Sequence, residues 1–473
     1  MRIKAGDRVN DVLNSVLRKV APTAEERKEV LKLHRNVLHT AEIVCEGLRV
    51  KPMMCGSIAK DTWLKGHKDF DLFLLFHEST SRENLEEYGL KLGKEIINRL
   101  GGTYEIAYAE HPYIRGFFNG HRIDIVPAFD VRNPGRIKSA VDRTPYHVRY
   151  VNQNLDRGLV NEVRLLKQFC KGIGVYGSNL KVRGFSGYLC ELLIIKYIKF
   201  RNLVEDAADW WPGKVIDIEG FYRSEKYLRE KKFPGDALIV VDPVDRNRNV
   251  ASVLSSENFI WFVKKCQEFV EEPNEDIFFG KPRYEMTLRG IAEKLRERGT
   301  EFLMIYFAAP EEVHRDILWP QMRKLLKRIE DVLKDGGFRP LRSDIWSDET
   351  NCILIFEMEV DELPAVKEVL GPSIFDRKNS EGFLKKYRGK KIFLQENRWV
   401  AETEREFRRA IELIRDFLSG DEDELRGRGV PKDLARVISE DVAVADRVHC
   451  FRFFRRYPGL RSYMNEYFHR SLG

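Results

Sequence analysis

Apolar positions at the start of the chain recur every three to four residues with polar positions between them, which predicts helices over residues 7–19 and 23–47. The second follows Pro22 and opens on Thr23-x-x-Glu26, a capping box that satisfies free backbone N–H groups. The period then drops to two. Residues 51–55 read as a strand, Gly56-Ser57 as a turn and residues 58–64 as helix-compatible. From Asp69 the order is Asp-Phe-Asp-Leu and then solidly apolar through Phe76, as in a strand that is buried between layers and emerges at its beginning. A helix over 84–100, closed by Gly101-Gly102, leads to a strand over 103–109. Two alternating runs, 114–118 and 121–129, flank Asn119-Gly120, the strongest short hairpin signal.

From Thr144 the helical period returns, over 146–157, 161–171 and 185–200, which places a boundary near 140–145. Gly172-Ile173-Gly174-Val175-Tyr176-Gly177 matches G-x-G-x-x-G. A helical pattern precedes it where a dinucleotide site requires a strand, so it reads as a loop between helices. Residues 242–251 form a turn-rich segment before a helix. Strand-like runs at 301–307, 338–345 and 352–360, with a helix over about 321–333, suggest a small α+β body. The expected architecture is α+β and multidomain, with mixed α/β order up to the boundary near 140–145, helices after it and the small α+β body beyond.

Composition narrows the class. At 473 residues the chain is long for one core, and 43% hydrophobic with 33% charged residues fits a globular protein. No run approaches the roughly 18 uncharged apolar residues of a membrane span, and the first residues lack a signal-peptide core, so no membrane association and a cytoplasmic location are expected. Seven scattered cysteines without a Cys-x-x-Cys pair indicate neither a disulfide framework nor a structural zinc site. The 81 basic and 74 acidic residues leave a formal charge of +7, so any basic surface is local.

Asp69 and Asp71 lie two apart on a strand and therefore share a face, about 7 Å from each other at about 3.4 Å per residue. Like charges at that spacing call for a cation, and oxygen ligands favour Mg²⁺. Gly56-Ser57 at a helix start would offer backbone N–H groups and a hydroxyl to phosphate. In the hairpin, Arg122, Asp124 and Val126 share one face, which makes Asp124 the candidate third carboxylate; on residue type alone it is an ordinary solvated strand aspartate.

The run from Gly56-Ser57 to Asp69-x-Asp71 and its apolar strand resembles the signature of the DNA polymerase β nucleotidyltransferase superfamily. Ala59-Lys60-x-Thr62-Trp63-Leu64 between its halves is similar to archaeal-type, class I, CCA-adding tRNA nucleotidyltransferases. The family commonly has glutamate where Asp69 stands, a departure that keeps the charge and shortens the reach. The resemblance implies a polymerase β-like, mixed-sheet head over 1–143, a helical neck over 144–255, an α+β body over 256–370 and an α+β, tRNA-binding tail over 371–473. Its three carboxylates, Asp69, Asp71 and Asp124, would hold two Mg²⁺ ions, with Asp124 at the primer hydroxyl. It further implies triphosphate or sugar contacts at Ser57, Lys60, His147, Lys167 and Tyr176, and an arginine near the incoming base at Arg248. By residue type alone the last four would pass for a satisfied histidine, a solvated helix lysine, a packed tyrosine and a loop arginine.

The resemblance implies template-independent addition of C, C and A to the tRNA 3′ end, at the acceptor arm, from CTP and ATP. It weakens toward the C-terminus. There Arg447, Arg452, Arg455, Arg456, Arg461 and Arg470 alternate with seven aromatic residues, a pattern open both to RNA contact and to an amphipathic helix with its aromatics packed inward. A poly(A) polymerase or other terminal transferase is the near alternative. A noncatalytic RNA-binding protein on the same scaffold is another, and a small-molecule adenylyltransferase would leave the tail without a role. Oligomeric state, a homodimer included, stays open.

Overall fold

The computed structural model describes residues 6–66, 69–108, 110–131, 137–139, 141–280 and 284–469, and the chain divides into two units, Met1–Pro282 and Arg283–Gly473. His67, Lys68, Ala109 and Arg470, which belong to the patterns above, lie outside the described residues, as do the first five residues.

In the first unit, α1 (Gly6–Val20) and α2 (Ala24–Val44) precede a five-stranded sheet. Thr23 caps α2 by accepting the Glu26 N–H at 3.1 Å. The sheet comprises β1 (Val50–Cys55), β2 (Asp69–His77), β3 (Thr103–Tyr108), β4 (Pro112–Phe118) and β5 (His121–Asp130), in the order β1-β2-β5-β4-β3. Only β2 and β5 pair in parallel, so the sheet is mixed, as expected. Asn119 and Gly120 make the hairpin turn at φ +48° and +75°. One turn of helix, α3 (Gly56–Ala59), follows β1, and α4 (Arg82–Leu100) links β2 to β3. β2 is buried on both faces from Leu72 to Phe76 and partly open at Asp69 and Asp71, which puts the aspartates at its mouth.

The helices after the sheet are α5 (Arg143–Asn154), α6 (Val160–Gly172), α7 (Gly187–Tyr197) and α8 (Phe200–Ala207). Ile198, at φ +70°, divides the helix predicted over 185–200 into α7 and α8. Then come β6 (Lys214–Ile216), the short α9 (Glu225–Tyr227), β7 (Leu238–Asp242), β8 (Asp245–Asn249), α10 (Ser256–Glu271) and α11 (Asp276–Phe279). β6, β7 and β8 form a three-stranded sheet, so the segment expected to be a turn before a helix is a hairpin. Every residue of β7 is buried, which erases the alternation that would have marked it. Phe169, Phe185, Leu193 and Phe262 form the core of this part, joined by Val9 and Val16 of α1.

The second unit begins with α12 (Leu288–Arg298), β9 (Glu301–Ala308), α13 (Arg315–Asp335), β10 (Pro340–Ser347) and β11 (Asn351–Met358). A small antiparallel sheet follows, of β12 (Val366–Ser373), α14 (Arg377–Lys386) beside it, β13 (Lys391–Gln395) and β14 (Arg398–Glu404). After α15 (Ala410–Phe417), α16 (Glu422–Gly427) and α17 (Lys432–Glu440), the chain returns as β15 (Ala443–Ala445) to the edge of β9 and ends in α18 (Phe451–Arg456) and α19 (Pro458–His469). Phe453, Phe454, Tyr457 and Tyr467 pack with Phe302, Met304 and Ile353 in one core, while Arg452, Arg455 and Arg456 are exposed. Of the two readings of this stretch, its aromatics therefore meet the packed one.

Candidate functional site

The parallel register of β2 and β5 sets Asp71 opposite Asp124 and Asp69 opposite Arg122. Neighbouring strands lie about 4.8 Å apart, so three carboxylates meet at one strand mouth. Arg122 answers two of them, with Nη2 3.0 Å from Asp69 Oδ2 and Nε 3.6 Å from Asp124 Oδ1. Arg115, opposite Asp124 on β4, donates from Nε to the same Oδ1 at 3.1 Å. Asp71 is left the most strained electrostatically. Burial, then the charges of Asp124 and Asp69, push its carboxyl up to about 6 against the opposing pull of Lys60 and Arg122.

The Gly56 turn is fitted to that carboxylate. Its φ is +70°, and a Cβ there would stand 1.9 Å from Asp71 Oδ2, so glycine is required on both counts. Among the described residues no trio of His, Cys, Asp or Glu is already arranged to hold a metal ion. The donor chemistry nevertheless fits one: oxygens only, on adjacent strands, with one carboxyl raised by burial and by the like charges beside it. A cavity of about 480 Å³ opens beside Asp69, lined also by Phe117, Asn119, His121 and Arg122.

Beyond α3 the expected helix through residue 64 does not continue. Asp61 takes φ +55°, and the next three residues are held from α6 and α7. The buried Arg164 donates from Nε to Trp63 O at 2.9 Å and from Nη2 to Asp61 Oδ1 at 2.8 Å. Lys167 donates from Nζ to Thr62 Oγ1 at 2.8 Å and to Glu191 Oε1 at 3.1 Å, while Thr62 Oγ1 donates to Glu191 Oε1 at 2.6 Å. Lys60 pairs with the other oxygen of Glu191. Burial by itself would raise Glu191, but Lys167 and Lys60 outweigh it and hold the carboxyl down to about 2. Trp63 belongs to the core under the five-stranded sheet, whereas Leu64 belongs to the core of α6, α7 and α10.

A second buried carboxylate, Asp242, gathers His147 and Arg248. Its Oδ2 accepts from Arg248 Nη1 at 2.8 Å and from His147 Nε2 at 3.1 Å. Tyr188 stacks on the His147 ring with centroids 3.8 Å apart. Burial lowers the pKa of His147, with Asp242 pulling the other way.

The predicted residues thus fall into three groups: Asp69, Asp71 and Asp124; Lys60 with Lys167; and His147 with Arg248. Ser57 sits on α3 beside Gly56, its carbonyl accepting the Thr62 N–H at 3.0 Å. Tyr176 reaches the second group, since a Cβ on Gly187 would lie 3.2 Å from its hydroxyl and 3.6 Å from Lys167 Nζ. Sequence reasoning missed the residues that organise these groups: Glu191, Asp242, Arg164, Arg115 and Tyr188. Two left a trace, because Glu191 is a lone charge in the apolar run Leu189-Cys190-Glu191-Leu192-Leu193 and Asp242 closes the apolar run Leu238-Ile239-Val240-Val241.

Residues 39–147 match the family described as nucleotidyltransferase domain, residues 161–279 the second domain of tRNA nucleotidyltransferase, and residues 298–446 the C-terminal domain of CCA-adding enzyme. The chain is 40% identical over 430 residues to a CCA-adding enzyme of Methanocaldococcus jannaschii, covering 90% of this chain and 93% of that one. It is 36% identical to the CCA-adding enzyme of Methanothermobacter thermautotrophicus, over 91% and 93% of the two chains. With that of Archaeoglobus fulgidus the identity is 38%, over 87% and 90%.

Proposed function

Since the chain belongs to the archaeal-type CCA-adding tRNA nucleotidyltransferases, we propose that nucleotides join RNA at the strand mouth of Asp69, Asp71 and Asp124. The protein adds C, C and A in turn to the 3′ end of tRNA, without a nucleic-acid template. In each round the terminal hydroxyl oxygen bonds to the α-phosphorus of CTP or ATP, the bond to the β-phosphate oxygen breaks, and pyrophosphate leaves. Asp69, Asp71 and Asp124 would hold Mg²⁺, which supplies charge neutralisation for the triphosphate and a lowered hydroxyl pKa. Asp124 would help remove the hydroxyl proton.

We assign Ser57, Lys60, His147, Lys167 and Tyr176 to the triphosphate and sugar, and Arg248 to the base. Lys60 and Lys167 share Glu191, so the three together carry one net positive charge. The acceptor arm of the tRNA is taken as the partner at the strand mouth, with the exposed arginines of α18 as a further RNA contact. A head over 1–143, neck over 144–255, body over 256–370 and tail over 371–473 remain the working division, with α10 and α11 at the start of that body packed into the core of the neck helices and belonging to the first unit. We place the protein in the cytoplasm; among the described residues no helix is long and apolar enough to cross a membrane.

The observation that carries this reading is the register of Asp71 against Asp124 beside the Gly56 turn. The test is extension, one nucleotide at a time, of tRNA ending at the discriminator base, at C74 and at C75. CTP is expected to serve the first two and ATP the third. Sustained tailing with ATP alone, CTP being ignored, would instead make the protein a poly(A) polymerase.

A further inference from the structure

Asp242 closes β7 and its side chain is wholly buried. Besides Arg248 and His147 on Oδ2, its Oδ1 accepts from Tyr188 Oη at 3.1 Å and from the Val244 N–H at 3.1 Å. Four donors match the roughly four lone-pair sites of an ionised carboxylate. Such a group only accepts, so Nε2 of His147 carries its proton toward Asp242. The three side-chain donors come from α5, α7 and β8, so one carboxylate ties the histidine assigned to the phosphate side to the arginine assigned to the base side.

Only Nη1 of Arg248 is spent on Asp242, and the side chain keeps 35% of its exposure. The rest of the planar fork is free to donate. Cytosine and adenine both present a ring-nitrogen acceptor beside an exocyclic amino group. Uracil and guanine present a ring N–H beside a carbonyl. A guanidinium donor held at the ring nitrogen would bond to the first pair and meet N–H with N–H in the second. That penalty works only if the fork cannot swing away, because a mobile donor would simply find the neighbouring carbonyl.

We infer that Asp242 is the positioning residue for nucleotide choice: by fixing the plane and reach of Arg248 it makes C and A acceptable and U and G not. This rests on the CCA-adding reading above. Asp242→Asn keeps the shape and one acceptor oxygen but loses the charge that anchors the fork. Asp242→Glu keeps the charge and moves it by one methylene.

The experiment uses the full chain with tRNA ending at C75 and at the discriminator base, and measures kcat/KM for all four nucleoside triphosphates together with the melting temperature. The expected result is at least a tenfold fall in the CTP:UTP and ATP:GTP ratios for D242N and D242E, through gain of the wrong nucleotides. A merely structural residue would lower all four values together and leave the ratios alone. Ratios within twofold of the parent's in D242N, or in D242E should D242N not fold, overturn the inference while the CCA-adding activity of the parent stands. A parent that adds neither C nor A to these substrates takes down both.

Discussion

Glu191→Gln removes the charge shared by Lys60 and Lys167 and leaves the amide in the same space. The side chain is fully buried, and its carboxyl sits at about 2 against an ordinary 4.5. At about 1.4 kcal/mol per pH unit, that difference is on the order of 3 kcal/mol of folding free energy at neutral pH. Removing one partner from a buried ion pair costs about 3–5 kcal/mol in general, which agrees. A carboxyl held down in the folded state contributes fully above its ordinary value and loses that contribution as the pH falls through the lowered one. The gap between parent and variant should therefore be full at pH 7 and narrow steadily between pH 4.5 and 2. Urea unfolding followed by tryptophan fluorescence measures it, since Trp63 adjoins the network. The double change Glu191→Leu with Lys167→Met should recover part of the loss suffered by Glu191→Leu, as two coupled sites require. If E191Q unfolds within about 0.5 kcal/mol of the parent at pH 7, like an ordinary surface change, the reasoning fails. It fails equally if the gap is unchanged at pH 3.

Asp71→Asn is expected to reduce nucleotide incorporation at least about 10³-fold, the loss of a group that holds the reacting charge. Its parent carboxyl is raised to about 6, so the parent loses stability as the pH rises from 3.8 through 6; in metal-free buffer D71N should melt above the parent at pH 8 and level with it at pH 3.5. Gly56→Ala should cost at least about 2 kcal/mol by denaturant titration and most of the activity, because it adds left-handed strain to an overlap with Asp71 Oδ2. In the second unit, Tyr467→Phe removes the 2.9 Å donor to the buried Glu357, leaving Arg298 and Thr300 on its other oxygen; a loss of about 1–3 kcal/mol is expected, read as a lower urea midpoint of the full chain with nucleotide KM unchanged.

The strands of the five-stranded sheet, the Asn119-Gly120 hairpin and the placing of Asp69 and Asp71 at a strand mouth were legible because each follows from local pattern. A two-residue period, a left-handed turn and an Asp-x-Asp spacing need nothing from distant chain. The course of residues 60–64 was not legible. Their composition permits helix, and what prevents it is a set of side chains about a hundred residues away, Arg164, Lys167 and Glu191. Asp242 was hidden for another reason: burial of all of β7 removed its period, and the groups that converge on the carboxylate come from three separate elements. The resemblance supplied His147, Lys167, Tyr176 and Arg248 singly, but the carboxylates that pair them are visible only in three dimensions.

Trp63 and Leu64 are consecutive, yet one is planted beneath the five-stranded sheet and the other among the helices after it. A protein engineer looking for a seam would be drawn to the boundary near residue 143, where sheet gives way to helices. A cut there would strip Leu64 and the apolar side of α1 of their cover and leave Thr62 without Lys167 and Glu191. Chimeras, split reporters and truncations should therefore treat this stretch as indivisible, and carry sheet and helices together through Pro282, where the first unit ends.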